Sequence, residues 1–188
     1  MATHGITSST TQRLFIDAGA VYKNYGESGE TLLGATRGGN QFKIETEIRT
    51  MEFDGAHGPV KGAERIVGHI ATITANFVEI TEEVLLLSLP GATAADYPDT
   101  PSKTHDLITR AADIASGDYI TNIAIVGKNT QSSTNDVICV VENALSDGNL
   151  ELGFTDKDES VMTVTFKAHF DAADLTTEPW KIYNPCIA

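Results

Sequence analysis

Phe42-Lys43-Ile44-Glu45-Thr46-Glu47-Ile48-Arg49-Thr50 alternates strictly between two kinds of side chain. Phe42, Ile44, Thr46, Ile48 and Thr50 fall on one side of an extended backbone; Lys43, Glu45, Glu47 and Arg49 fall on the other. Successive strand side chains point to opposite faces, so this period of two predicts a half-buried strand with one charged, wet face. Glu64 to Ile80 continue in the same mode, with Ala71, Ile73, Ala75 and Phe77 on one side and Thr72, Thr74 and Asn76 on the other. At ~3.3 Å per residue such a strand would exceed ~50 Å, against the ~17–20 Å of an ordinary one. A strand glycine often marks a bulge, so a bend or bulge is expected at Gly68.

Between the two strands stands Asp54-Gly55-Ala56-His57-Gly58-Pro59-Val60-Lys61-Gly62, with three glycines and one proline in nine residues. That density forbids regular structure and supplies the backbone angles that turns need. The whole of about 42–80 therefore reads as a long hairpin projecting beyond its own domain.

Further strands are expected at Gln12–Tyr22, Tyr119–Val126, Asp136–Val141, Leu150–Phe154 and Ser160–Phe170. One helix is predicted. Thr81 caps it, Glu82 and Glu83 suit the positive end of its dipole, Val84 to Leu89 supply its apolar residues, and Pro90-Gly91 ends it. Gly91 to Lys103, with Pro98 and Pro101, reads as an exposed loop. The fold class that follows is mainly β: a β-sandwich or β-barrel with one short flanking helix, in a single domain spanning residues 1–188.

Charge narrows the function classes. Thirteen Lys and Arg stand against 26 Asp and Glu, a formal net charge of −13. Adhesion to nucleic acid or to an anionic membrane needs a cationic surface, which this balance opposes. No apolar run approaches the ~20 residues that a membrane span needs, Val84 to Leu87 being four residues, so no membrane insertion is expected. Met1 to Gln12 is polar and does not read as a signal peptide. Cys139 and Cys186 are too few for a disulfide framework, and a reducing compartment is the default.

Motifs for chemistry are weak. No two of His4, His57, His69, His105 and His169 lie three to five residues apart, and no C-x-x-C accompanies them. Asp156-Lys157-Asp158-Glu159-Ser160 opens like a calcium loop, but Val161 stands where the glycine belongs and Lys167 where the glutamate belongs. A solvated turn is the better reading. Gly34-Ala35-Thr36-Arg37-Gly38-Gly39 lacks the Gly-Lys-Ser/Thr ending of a phosphate loop and reads as a flexible connection between strands. No Gly-x-Ser-x-Gly elbow is present. The expectation is a non-enzyme with no catalytic residues, cofactor or metal.

Arg49-Thr50-Met51-Glu52-Phe53-Asp54-Gly55-Ala56-His57-Gly58-Pro59-Val60-Lys61-Gly62 resembles the hairpin region of major tail tube proteins from long-tailed bacteriophages. Asp17-Ala18-Gly19-Ala20-Val21-Tyr22 and Leu33-Gly34-Ala35-Thr36-Arg37-Gly38-Gly39 resemble the N-terminal part of that family, and Asp118 to Ala124 a central strand. Thr165 to Asp171 followed by Pro179-Trp180 resembles its C-terminal strand and tail. The resemblance implies a sandwich assembled into hexameric rings that stack into a hollow tube. In it, a long hairpin from each subunit joins its neighbours in a closed inner β-barrel. It further implies a place in the virion tail, assembly in the host cytoplasm, tape measure, tip and terminator proteins as partners, and DNA passing down the lumen without specific binding.

On that reading Glu45, Glu47, Arg49, Thr72, Thr74 and Asn76 border the lumen, while Phe42, Ile44, Ile48, Ile73 and Phe77 pack on the protomer's own core. Asp54, Gly55, Ala56, His57, Gly58, Pro59, Val60, Lys61 and Gly62 form a contact between subunits or successive rings. Residues of about 1–11 and 176–188 are terminal arms. Residues 43–65 carry five acids and four bases, a net of −1, so the hairpin is almost neutral. The acidic excess lies in Glu79–Asp118 (eight acids, two bases) and Glu142–Glu178 (nine acids, two bases). Two other readings stay open: a tube subunit of a contractile tail or secretion apparatus, and a monomeric carbohydrate- or peptide-binding β-sandwich using the loop at Gly91–Lys103.

Overall fold

The computed structural model describes residues 17–97, 104–128, 136–154 and 156–185, together with Gly5, Thr10 and Ser102. In chain order the elements are β1 (Ala20–Lys23), β2 (Thr31–Leu32), β3 (Gln41–Thr50), β4 (Glu64–Phe77), α1 (Glu82–Ser88), β5 (Ala92–Tyr97) and β6 (His105–Arg110). A 3-10 turn at Ser116–Asp118 leads to β7 (Ile120–Gly127), β8 (Val137–Ser146), β9 (Met162–Lys167) and β10 (Trp180–Tyr183). Among the described residues the protein is mainly β, with one short α-helix.

β8 organises the architecture. Along one edge it pairs with β7 from Val137 to Ala144; along the other it pairs first with β10, over Ile138–Val141, and then, at Leu145 and Ser146, with β9. The change occurs at Asn143, whose φ of 47° lies in the left-handed region that bends a strand. One half of the sheet therefore runs β2-β1-β7-β8 with β10 beside it, and the other runs β8-β9-β4-β3. Every one of these pairings is antiparallel. The halves are not closed into a barrel; they enclose one core in a sandwich-like arrangement.

That core draws Val21, Ile120, Ile123 and Val141 from the first half and Ala71, Ile73, Ala75, Phe77, Met162, Val164 and Phe166 from the second. Each of these is less than a tenth exposed, and the alternation along β4 from Ala71 onward is the period of two expected from sequence. α1 closes one end. Thr81 accepts a hydrogen bond from the Val84 backbone N–H at 3.2 Å, Val84 is buried, and Lys23 pairs with Glu83 at 2.8 Å. The Ser146 hydroxyl donates to the Ser88 carbonyl, fastening the helix end to the end of β8. No helix among the described residues is long and apolar enough to cross a membrane.

Several sequence expectations are corrected. Ala92–Tyr97, within the stretch expected to be an exposed loop, is a strand that pairs with β6 from Ala92↔Arg110 to Tyr97↔His105. Residues 98–101 and 103 of that stretch lie outside the described residues. Leu150–Phe154 forms no strand: Gly153 interrupts it and Phe154 is 89% exposed. β8 extends to Ser146, five residues past the expected end at Val141. β4 stops at Phe77, because the Val78 N–H turns away to the Ala35 carbonyl (3.0 Å). Of the strand expected over Gln12–Tyr22, Ala20–Tyr22 belongs to β1, Asp17–Gly19 is irregular, and residues 12–16 lie outside the described residues. Gly19, at φ 74°, must be glycine, since a Cβ there would stand 2.6 Å from Ile125 Cγ2.

Candidate assembly interface

β3 and β4 pair over their whole length, and the ladder falls into a root and a ribbon. In the root, β9 covers β4 from Thr72 to Phe77, and Phe42 and Ile44 pack against the core. Beyond it the hairpin has two strands only. Among the described residues, no strand pairs with the outer edge of β3 or with β4 between Glu64 and Ile70. Both faces of the ribbon are open as well: Glu45 to Thr50 and Glu64 to Val67 are all exposed. Ile48 (57% exposed), Ile66 (65%) and Ile70 (51%) are apolar side chains without cover. The placement of Ile48 on the protomer's core is thereby corrected; it lies past the end of that core.

The bulge expected at Gly68 is present. Glu47 pairs with Gly68 and Ile48 with Ile66, which leaves Val67 as the extra residue. The bulge resets the faces. Directly opposed residues of an antiparallel pair share a face, so Ile48 and Ile66 meet on the side continuous with the core. On the outer side Lys43 opposes Thr72, Glu45 opposes Ile70 and Arg49 opposes Arg65.

The six residues expected to line a lumen therefore share one face of β3–β4, but they divide into two groups. Glu45, Glu47 and Arg49 lie on the open ribbon. Glu45 is ion-paired with Lys43, whose ammonium holds the carboxyl below the usual carboxylate range. Thr72, Thr74 and Asn76 lie on the root and are engaged there. Thr74 bonds the Thr165 hydroxyl at 3.1 Å, and the Thr72 hydroxyl donates to the Lys43 carbonyl at 3.4 Å. Asn76 accepts from the Thr163 hydroxyl at 2.7 Å and donates to the Gly39 carbonyl at 2.8 Å. Asn76 thus clamps the neighbouring segments at Gly39 and Thr163 as much as it forms surface.

The tip is a formed loop. Asp54 to Gly62 are all exposed, yet the Ala56 N–H reaches the Phe53 carbonyl (3.1 Å) and the Ala63 N–H reaches the Val60 carbonyl (3.0 Å). Gly55 and Gly62 sit at φ 86° and 87°, so the glycines of the motif serve the turns. Met51, Phe53, Ala56 and Pro59 border a shallow recess in it.

At the ribbon's base His69 packs edge-on against Phe170 and lies 2.7 Å from Glu178. Glu178 also accepts from the Trp180 indole at 3.1 Å, just before β10. The segment read as a C-terminal arm is therefore docked on its own chain through residue 183, a pairing that only four residues, Trp-Lys-Ile-Tyr, announce in the sequence. Of residues 1–11, only Gly5 and Thr10 are described.

The connection at Gly34–Gly39 holds no ligand geometry. It is pinned: the Arg37 N–H donates to the Asn76 carbonyl (2.9 Å), and its guanidinium pairs with Asp158 (2.7 Å) and Glu159. Those carboxylates raise the Arg37 pKa, and Arg37 in turn depresses that of Asp158. Gly34–Gly39 connects β2 to β3, and Asp156–Glu159 is an exposed turn. No cluster of three or more metal-ligating side chains occurs among the described residues. Cys139 is a half-buried strand residue whose thiol pKa burial raises, which makes it less reactive. No protein-family model matches the chain, and no curated protein matches it significantly.

Proposed function

We propose that this chain is a structural subunit of a long-tailed phage tail tube, in which hexameric rings stack into a hollow conduit for DNA. The observation that carries the reading is the β3–β4 ribbon, which among the described residues is open along both edges and both faces. An isolated two-stranded ribbon is marginal in water, and open edges are templates for pairing with another chain. Identical copies arranged in a closed ring would satisfy every such edge, because barrel closure removes edges altogether. The exposed Ile48, Ile66 and Ile70 would gain cover in the same step. The net charge of −13 suits a conduit that lets phosphate slide, since cationic contacts would retain DNA through counterion release. Tape measure, tip and terminator proteins would cap and template the tube.

The tube of a contractile tail or secretion apparatus would use the same ribbon and is the nearest alternative. A monomeric ligand-binding sandwich is less well supported, because Ala92–Tyr97 is a strand and supplies Tyr97 as the single aromatic residue there.

Negative-stain microscopy and sedimentation of the purified chain test the proposal, alongside a variant in which Asp54–Gly62 is replaced by Asn-Gly. Wild type should form rings or tubes, and the variant should keep its β-sheet circular dichroism but stay monomeric. A wild-type chain that remains monomeric at high concentration, or a variant that builds tubes normally, would overturn the reading.

A further inference from the structure

The outer face of the ribbon carries charges that the described residues leave unmatched. Arg49 and Arg65 oppose each other directly, a like-charge pairing that is unfavourable. Arg65 donates only to nearby carbonyls, Gly62 at 3.3 Å and Glu64 at 2.9 Å, and neither arginine makes an ion pair among the described residues. Two residues back along β3, Glu47 faces Gly68 across the bulge, and its carboxylate lies over that glycine, 3.6 Å from where a Cβ would stand. It has no cation partner among the described residues either. A residue with no side chain thus stands opposite the acid, while the base stands opposite another base.

Resting on the assembly reading above, we infer that the ribbon's partner is a second copy of this chain. In that pairing the free edge of β3 takes up the free edge of the neighbour's β4, in the register that sets Glu47 against the neighbour's Arg65. Strands in a closed barrel tilt by about 35–45° and lie about 4.8 Å apart, so each is displaced along the next by roughly one residue. A two-stranded ribbon therefore shifts by about two residues per copy. Starting from the register within the hairpin, a shift of that size moves the residue facing Arg65 from Arg49 to Glu47. The opposite shift would place Ile70 against Glu47 and leave both charges unmatched. The bulge at Val67 is what puts Arg65 on the same face as Glu47, and without it the pairing would be impossible.

The interface is heterologous: each copy offers Glu47 on one side and Arg65 on the other. This gives a test that a contact within one chain cannot imitate. Glu47→Arg alone and Arg65→Glu alone should each raise the concentration needed for assembly by roughly tenfold or more, because every interface then sets like charges together. An equimolar mixture of the two variants should assemble, since alternating copies restore opposite charges at every junction of an even-numbered ring. The double variant E47R/R65E should assemble by itself. Circular dichroism and thermal melts of each variant verify that the protomers are folded. If wild type assembles but the mixture stays as small as either variant alone, the register is overturned while the assembly reading stands. If wild type never assembles, the assembly reading falls and this inference falls with it.

Discussion

Asn143 and His169 hold each other across the bend of β8. The Asn143 amide donates to the His169 carbonyl at 3.2 Å, and the imidazole Nδ1 lies 3.1 Å from the Asn143 carbonyl oxygen. Tyr119 packs edge-on against the same imidazole at 5.2 Å. This clasp fixes the point at which β8 leaves β10 and joins β9, so the sandwich-like folding of the sheet depends on it.

Asn143→Val should cost about 2–4 kcal/mol, since a β-branched residue resists the left-handed backbone and the amide hydrogen bond is lost. Asn143→Gly should cost about 1 kcal/mol, because glycine accepts that backbone and only the hydrogen bond goes. Urea denaturation of both variants checks the order. Equal losses would mean that the positive φ of Asn143 is not what the bend requires.

Ile66 and Ile73 are the same residue type on the same strand with opposite surroundings, 65% exposed against 0%. Ile73→Ala should destabilise the protomer by about 2–5 kcal/mol through the cavity it leaves. Ile66→Ala should change protomer stability by less than about 0.5 kcal/mol, and its effect should surface in assembly. Thermal melts of the dilute protomer, set beside sedimentation at high concentration, separate the two. A large loss of protomer stability from Ile66→Ala would show that the ribbon is covered within one chain.

Asp174 supplies a pH dependence of known sign. The hydroxyls of Thr177 and Thr176 hold its carboxyl well below the usual range. A folded-state pKa below the unfolded value gives stability that is present in full above about 3.9 and is lost as pH falls through the folded value. Wild type should therefore exceed Asp174→Asn in urea midpoint at pH 6, and the gap should shrink steadily below about pH 4. A gap that stays constant down to pH 2 would remove the carboxylate from the account.

Legibility followed the range of the interactions. The alternation over Phe42–Thr50 and Ala71–Phe77, the turn chemistry of Asp54–Gly62, the Thr81 cap and the bulge near Gly68 rest on neighbours within a few residues, and all were readable. β5 and β10 were not. Ala92–Tyr97 holds alanines and an aspartate with weak strand preference and becomes a strand because His105–Arg110 lies beside it. Trp180–Tyr183 is short and follows a proline, and it is a strand because β8 offers an edge. The second half of β8, Glu142-Asn143-Ala144-Leu145-Ser146, lost its alternation to the bend at Asn143.

For the candidate interface the division is similar. Glu45, Glu47 and Arg49 were recognisable as one charged face, but the opposition of Arg49 to Arg65 depends on the bulge register, which pairing across the hairpin settles. Thr72, Thr74 and Asn76 were placed on that face correctly, yet their engagement by Thr165, Lys43 and Thr163 was invisible, since those contacts depend on which strands lie side by side.

The amino-acid order by itself determined a mainly β chain with a long two-stranded excursion, because side-chain period and turn residues act over distances of a few residues. Only the tertiary structure decided where that excursion parts from the core, at which residue β8 changes partners, and which charges the ribbon leaves unmatched. Those outcomes depend on pairings between segments far apart in the chain, and no local pattern encodes them.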